Sequence, residues 1–207
     1  MKKIVLLSVL AVIQFLPVKA QLQGDGSMGN PYRGTLAGAF TISGTKYFSG
    51  IITVDDEELT IAPGTTLVAA TSTSGILVRN TGQLTAVGSA TNRILITSDS
   101  DLDGIIGEPT DTWGNITILS PGVGNISHCT IENGRRLSPR IGYYGGGLYL
   151  GSSSVTITST TVRNCNAGYG GGVMVAGTTS PVISGCIITG NSAVEHGGGI
   201  YITGGSS

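Results

Sequence analysis

The stretch Gly145-Gly146-Gly147-Leu148-Tyr149-Leu150 returns twice more along the chain with the same pattern. It recurs as Gly170-Gly171-Gly172-Val173-Met174-Val175 after 25 residues, and as Gly197-Gly198-Gly199-Ile200-Tyr201-Ile202 after a further 27 residues. A second segment repeats in the same phase, at residues 126–133, 157–164 and 183–190. Self-similarity with a period of about 20 to 50 residues is typical of solenoids and repeat arrays.

Each repeat is built from short runs in which Val, Ile and Thr alternate with other residues, and Gly, Asn or Ser bound these runs. This pattern predicts β-strands, and the i, i+3, i+4, i+7 spacing of an amphipathic helix is missing after residue 20. A unit of about 25 residues with two or three strands has the size of one turn, or rung, of a parallel β-helix. We therefore predict an all-β solenoid with rungs over residues 51–207.

The two ends of the predicted solenoid differ. Residues 21–50 are expected to form an N-terminal cap, because the terminal repeat of a solenoid needs a covering segment. No matching cap follows the last repeat, and the sequence stops a few residues into a rung. We therefore expect the natural protein to continue beyond Ser207.

The first 20 residues resemble a secretory signal peptide. Lys2 and Lys3 precede a 13-residue apolar stretch over residues 4–16, and Val18-Lys19-Ala20 fits a small-x-small cleavage site. At about 1.5 Å per residue the apolar stretch is too short to span a hydrocarbon core of about 30 Å. We expect cleavage after Ala20 and an exported protein that has no transmembrane span.

Composition excludes several other classes of protein. The chain has 34 Gly among 207 residues and only 11% charged residues, but its hydrophobic content of 40% is enough for a core. Disorder is therefore disfavoured, and the Gly-x-y period of collagen is absent. A formal net charge of −1 without a run of Lys or Arg argues against nucleic-acid binding.

Three segments of the sequence resemble parts of known proteins. The segment from Asn191 to Tyr201 resembles the repeat of polymorphic outer-membrane proteins. Residues 59–67 and 113–116 resemble the first rungs of secreted bacterial right-handed parallel β-helix proteins of the pectate-lyase-like superfamily. The resemblance implies a right-handed parallel β-helix that is secreted or held at the outer membrane or cell surface of a bacterium. It does not imply one activity, since that superfamily includes lyases, hydrolases and adhesins.

Alternation within the Gly-started strands predicts which side chains point outward. In each of these strands the two apolar residues on either side of the central one are expected to be buried. The central residues then point outward and form a column of Leu77, Thr117, Tyr149, Met174 and Tyr201. A second column directly before the glycines contains Tyr144, Tyr169 and His196. In rungs about 4.8 Å apart these side chains form a strip. The predicted ligand-binding residues are therefore Tyr144, Tyr149, Tyr169, Met174, His196 and Tyr201.

This strip has two interpretations. It is a platform for sugar rings or for a partner chain, or else it is a structural feature. In the second case the insertion over residues 135–143 covers it, or the stacked tyrosines stabilise the ladder of strands.

The outward column contains no charged residue, so the acid and base groups that polysaccharide cleavage requires are missing from it. We therefore favour a non-enzymatic surface or extracellular binding module, an adhesin that contacts carbohydrate or a cell-surface protein. The alternative is the N-terminal part of a polysaccharide lyase or hydrolase whose catalytic rungs lie beyond residue 207. A third possibility is a spacer that holds another domain away from the cell.

One acidic segment could hold a metal ion. Asp99, Asp101 and Asp103 alternate before a turn glycine, and Glu108 and Asp111 follow. Carboxylates at this spacing can surround a hard cation, so they are candidate calcium ligands. The alternative is a solvated loop between two rungs. No other cofactor is indicated.

Three cysteines and one charge pair complete the predictions. Cys129 and Cys186 fall in one column two rungs apart, about 9.6 Å, which exceeds the range of about 6.8 Å for a disulfide. We expect both to be buried thiols and Cys165 to be accessible in a turn. Glu132 and Arg163 are expected to form a surface ion pair worth less than about 1 kcal/mol.

Overall fold

The backbone winds into successive rungs whose strands pair in parallel with those of the next rung. The computed structural model describes residues 21–137 and 143–204, so the predicted signal peptide lies outside the described residues. The described part of the chain consists of strands and turns, and it contains no helix with the length and hydrophobicity to cross a membrane. The predicted all-β parallel β-helix is confirmed.

Most strands are three to five residues long, and β3 alone reaches 11 residues. The described residues form the following strands: β1 (Tyr32–Thr35), β2 (Phe40–Ile42), β3 (Thr45–Asp55), β4 (Glu58–Ile61), β5 (Thr66–Ala69), β6 (Gly75–Arg79), β7 (Gln83–Val87), β8 (Ile94–Ser98), β9 (Ile116–Leu119), β10 (Val123–Ser127), β11 (Cys129–Glu132), β12 (Arg135–Arg136), β13 (Leu148–Gly151), β14 (Val155–Thr158), β15 (Thr161–Arg163), β16 (Asn166–Tyr169), β17 (Val173–Val175), β18 (Val182–Ser184), β19 (Ile187–Thr189), β20 (Ser192–His196) and β21 (Ile200–Ile202).

The strands stack into three faces along the solenoid. The first face contains the second half of β3 and then β6, β9, β13, β17 and β21. The second contains the first half of β3 and then β5, β8, β11, β15 and β19, and the third runs from β2 through β4, β7, β10 and β14 to β18. A short sheet of β12, β16 and β20 extends the later rungs.

The predicted cap region, residues 21–50, contains strands as well as turns. β1 pairs in parallel with β3, and β2 pairs in parallel with β4, so this region includes a rung in register with the one that follows. Before it, Gln23 forms an antiparallel bridge with Arg33. Residues 21–31 therefore lie beside the first strand of that rung.

Alternating residues of the first face form the core, as the sequence predicts. The inward side chains from β6 to β17 are at most 4% exposed: Ile76, Val78, Ile116, Ile118, Leu148, Leu150, Val173 and Val175. Burying one such side chain contributes about 1.5 to 3 kcal/mol. Ile200 and Ile202 continue the column but are 41% and 64% exposed, because no described rung covers β21.

The turns between the faces use backbone conformations that favour particular residues. His128, Ser159 and Gly185 each come directly after a strand of the third face, and they have a φ of 51°, 48° and 61°. Asn133 and Asn164 follow the second face with φ of 62° and 54°. Asn and Gly tolerate this left-handed region better than most residues, so the recurrence of these types in the repeat has a steric cause.

The Glu132–Arg163 pair is less exposed than expected. Glu132 Oε2 lies 2.6 Å from Arg163 Nη2 and 2.7 Å from Arg163 Nε, and the Thr97 hydroxyl donates to Glu132 Oε1 at 2.8 Å. The Glu132 side chain is 8% exposed, whereas that of Arg163 is 48% exposed. The prediction of a surface pair is therefore wrong for Glu132, whose carboxylate is buried. The alternation of residues in β11 does not show which neighbouring groups cover this side chain.

The cysteines are free thiols, and Cys129 is buried as predicted. Cys165 is also buried, so the prediction of an accessible thiol is wrong. Its backbone N–H donates to Asn191 Oδ1 at 2.9 Å, which places the turn of the following rung over it. Burial raises the pKa of both Cys129 and Cys165 to about 12. Cys186 is partly exposed, so the prediction that it is buried is wrong, because it precedes β19, the last described strand of the second face.

Candidate functional site

The predicted strip forms a row of ring contacts that runs along the short sheet of β12, β16 and β20 and reaches β21 of the first face. Tyr144 stacks on Tyr169 with ring centroids 5.4 Å apart and planes inclined by 28°. Tyr169 continues to Tyr201 at 5.4 Å, and His196 stacks on Tyr201 at 5.8 Å. Register pairing of Tyr144 with Tyr169, and of Tyr169 with His196, aligns these side chains across three rungs. We call Tyr144, Tyr169, His196 and Tyr201 the aromatic stack.

Within the aromatic stack each ring contacts at least one other ring, which holds the side chains as a ladder across three rungs. Tyr144 and His196 nevertheless remain exposed. Met174 lies in the outward column between Tyr149 and Tyr201 but is only 3% exposed. Its side chain packs beneath this surface and does not form part of the accessible face.

Tyr143, at the end of the 135–143 insertion, adds an edge to the stack that the repeat pattern does not predict. Its ring meets Tyr144 at 6.4 Å and Tyr169 at 5.7 Å, nearly perpendicular to both. Its carbonyl accepts the N–H groups of Gly168 and Tyr169 at 2.9 and 3.1 Å. A Cβ on Gly168 would overlap the Tyr143 ring, so this glycine is required by the close approach.

A cavity opens where the aromatic stack begins. It has a volume of about 250 Å³, and Tyr144 beside it is 45% exposed. The Ile116 side chain of β9 points into the core, and its neighbours Asn115 and Thr117 line this cavity. Tyr149 of β13, which pairs with Thr117, lines it as well. We call it the tyrosine cavity, and its lining residues are Asn115, Thr117, Leu119, Arg136, Tyr144 and Tyr149.

Polar groups in the wall of the tyrosine cavity are fixed by Asn115, which is 1% exposed. Asn115 Oδ1 accepts from Arg136 Nη2 and from the Thr117 hydroxyl, both at 3.0 Å, and its Nδ2 donates to the Gly145 carbonyl at 2.6 Å. Burial lowers the pKa of Arg136. A guanidinium nevertheless stays charged in proteins, so the cavity has a fixed donor beside two phenol rings.

Sequence reasoning missed Arg136 and Asn115. Arg136 lies in β12 at a register position that Ala167 holds in the next rung, so its charge departs from the repeat. Asn115 occupies the position of a strand-starting glycine. The signal that could have found them is this departure from the repeat. A polar residue in place of glycine beside an arginine in place of alanine indicates a local function.

The five predicted metal-ligating residues lie in the loop between β8 and β9, residues 99–111, which we call the acidic loop. Carboxylate oxygens of Asp99, Asp101 and Asp103 lie within 4.8 Å of one another. Asp111 instead binds backbone, since its Oδ1 accepts the Ser100 N–H at 2.8 Å and its Oδ2 accepts the Glu108 N–H at 3.3 Å. Burial and the nearby carboxylates, Asp103 first among them, raise the pKa of Glu108.

The family model for the right handed beta helix region matches residues 49–207. The chain belongs to the right-handed β-helix family. No curated protein and no solved structure was found to match it. For this β-helix protein the family therefore establishes the architecture, and the function has to be argued from its own surface.

A second, larger cavity of about 390 Å³ lies on this β-helix beside the acidic loop. Gly134, Asn164 and Gly190, which lie in turns of successive rungs, form much of its wall, and none of its described lining residues is aromatic. The smaller tyrosine cavity offers ring faces together with a fixed cation, which is the combination that recognises a specific ligand. We therefore regard the tyrosine cavity as the principal candidate site.

The tyrosine cavity of this β-helix combines a cation with aromatic side chains. General acid-base catalysis needs a proton donor and acceptor with pKa values near the working pH. The described lining residues include no carboxylate and no histidine. A cation held against two aromatic side chains can instead orient a ring-shaped ligand that carries hydroxyl or carboxylate groups.

Proposed function

We propose that this protein is an exported, non-enzymatic binding module that contacts carbohydrate through the tyrosine cavity. The observation that carries the proposal is the convergence of Tyr144, Tyr149 and Arg136 on one concave surface of about 250 Å³. Sugars present apolar ring faces and polar edges, and this cavity combines aromatic side chains with a guanidinium donor.

Preorganisation supports the proposal. Tyr144 is stacked on Tyr169 and touched edge-on by Tyr143, so little side-chain freedom remains to be lost when a ligand binds. Arg136 is likewise held by Asn115, which is itself bonded to the Gly145 carbonyl. A ligand that enters the cavity therefore meets groups that are already in position.

Export supports the same function. The sequence of residues 1–20 has the pattern of a secretory signal, which would place the mature chain where glycans of a surface or matrix are accessible. The low charge of the outer strand positions favours adhesion over catalysis. We propose that the ligand is a glycan, either free or attached to a cell-surface protein.

A glycan array probed with the full chain tests the proposal, with Tyr149→Ala as the diagnostic variant and Tyr201→Ala as its control. Both tyrosines lie in the same outward column, but Tyr201 does not line the cavity. We expect Tyr149→Ala to weaken binding at least about tenfold, or about 1.4 kcal/mol, and Tyr201→Ala to change it less than about twofold.

Two results would contradict the proposal. One is the absence of binding across a broad array, and the other is equal binding by Tyr149→Ala and the unchanged protein. Release of unsaturated or reducing sugars from a bound polysaccharide would instead favour a lyase or hydrolase.

A further inference from the structure

The acidic loop contains a buried carboxylate without a partner. Asp99 is 0% exposed, and neither of its oxygens has a hydrogen-bond partner in the structure. The Gly104 N–H points toward it and opposes the rise in its pKa, but does not reach hydrogen-bond geometry. Burying an ionised carboxylate is costly unless it is paired or coordinates a metal, so Asp99 in its ionised form needs a counter-charge.

Two further carboxylates point to the same place. Oxygens of Asp101 and Asp103 lie within 4.8 Å of the Asp99 oxygen, and both residues are exposed. Oxygens on opposite sides of one calcium ion are about 4.8 Å apart, because Ca–O distances are about 2.4 Å. All three carboxylates can therefore contact a single ion of that size.

The loop is held in this shape partly by Asp101 Oδ1 and Asp103 Oδ1, which accept the Asp103 and Ile105 N–H groups at 3.4 and 2.8 Å, and partly by contacts outside the three carboxylates. Asp111 Oδ1 accepts the Ser100 N–H at 2.8 Å, and the Thr112 N–H donates to Ser100 Oγ at 3.2 Å. These bonds tie the two ends of the loop together across 12 residues. The three ligands consequently converge on a frame that the protein supplies itself.

No cation in the described part of the chain balances this cluster. Among residues 21–137 and 143–204, neither Lys nor Arg forms an ion pair with Asp99, Asp101 or Asp103. Burial raises the pKa of Asp99, and the carboxylates of Asp111 and Asp103 raise it further. Ionisation of Asp99 is therefore unfavourable unless a cation lies at the point where the three side chains meet.

We propose that Asp99, Asp101 and Asp103 bind one calcium ion. Calcium accepts six to eight oxygen ligands in flexible geometry, so three carboxylates together with carbonyl groups and water suit it. Magnesium demands near-ideal octahedral geometry and gives up its water reluctantly. The ion neutralises Asp99 and fixes the acidic loop against the rung from which it leaves. This site is separate from the tyrosine cavity, so either proposal can fail alone.

Calorimetric titration of the full chain with calcium chloride, after removal of metal with a chelator, tests the site. We expect one ion per chain with a Kd below about 1 mM. At a calcium concentration 100 times the Kd, the Tm should rise by about 5 °C or more. Asp101→Asn and Asp103→Asn alter exposed side chains, and each should weaken binding at least tenfold.

Asp56→Asn is the matched control, because Asp56 is also exposed in a turn and its φ of 63° suits Asn. It should bind calcium like the unchanged protein. Asp99→Asn gives a readout that a purely structural role would not produce. It should be at least as stable as the unchanged protein in chelator, since it removes an uncompensated charge, yet gain no stability from calcium.

The absence of a calcium-dependent heat or Tm shift at 10 times the expected Kd limit would overturn the proposal. The same conclusion would follow if Asp101→Asn and Asp103→Asn bound calcium as Asp56→Asn does. Equal affinity for magnesium chloride in the same titration would overturn the assignment to calcium.

Discussion

Replacing Arg163 with Met should destabilise the protein by about 2 kcal/mol, because Glu132 would keep its buried charge and lose its guanidinium partner. Exposed ion pairs contribute about 0.2 to 1 kcal/mol, whereas breaking a fully buried pair costs about 3 to 5 kcal/mol. Glu132 is 8% exposed and Arg163 is 48% exposed, which places this pair between the two cases. Met keeps most of the apolar stem, so the loss reports the charge.

A double-mutant cycle with Glu132→Gln isolates the interaction. The coupling free energy should be about 1.5 kcal/mol, because Gln removes the charge but still accepts a hydrogen bond from Thr97. Urea unfolding can be followed through the fluorescence of Trp113, the chain's single tryptophan. Trp113 is buried and its Nε1 donates to the Glu132 carbonyl at 2.7 Å, so it reports the same rung.

Arg79 and Asp55 provide a matched comparison. Arg79 Nη2 lies 2.7 Å from Asp55 Oδ2, and Arg79 is 47% exposed, almost the same as Arg163. Asp55, however, is 19% exposed. The cycle of Arg79→Met with Asp55→Asn should give less than about 1 kcal/mol and should weaken more in high salt. Equal coupling in the two pairs would refute the reasoning that burial of Glu132 strengthens its pair.

Two further predictions concern thiol reactivity and the strand-starting glycines. In the folded protein at pH 8, a thiol reagent should modify Cys186 and leave Cys129 and Cys165 unreacted, because a pKa of about 12 leaves about one thiolate in 10,000. Mass spectrometry should find all three modified in denaturant, and rapid folded-state labelling of Cys165 would contradict its burial. Gly146→Ala should cost about 3 kcal/mol in urea unfolding, because its Cβ would overlap the Gly171 carbonyl oxygen. Gly38→Ala has open space for the Cβ and should change stability by less than about 1 kcal/mol, so similar losses for both would exclude a steric cause.

Much of the architecture could be predicted because the same residue pattern occurs in several rungs. Alternation of apolar residues in β9, β13 and β17 identified the inward column, and the shared phase of two segments fixed the register. The prediction failed to anticipate burial where a neighbouring rung covers a side chain. Met174 points outward yet is covered, and Asn191 of the next rung lies over Cys165.

The candidate sites were harder to predict because they depend on departures from the repeat. The tyrosine cavity needs Arg136, where the next rung has Ala167, and Asn115, where the rungs of β6 and β13 have glycine. Ring planes were not predictable either, since column order gives the sequence of Tyr144, Tyr169 and His196 but not whether their faces are open. In the acidic loop, spacing indicated the carboxylates, while the missing partner of Asp99 emerged only from packing.

The acidic loop begins at the end of β8, and the chain returns to the solenoid at β9. Ile116 of β9 pairs with Ile76 of β6, so the loop leaves the register of the first face unchanged. Because each rung contacts only its neighbours, extra length in a turn imposes no change on rungs further along. Such a chain can acquire new loops, or duplicate whole rungs, without rebuilding its interior. Its capacity for evolutionary change therefore lies in the turns, and the acidic loop is one of them.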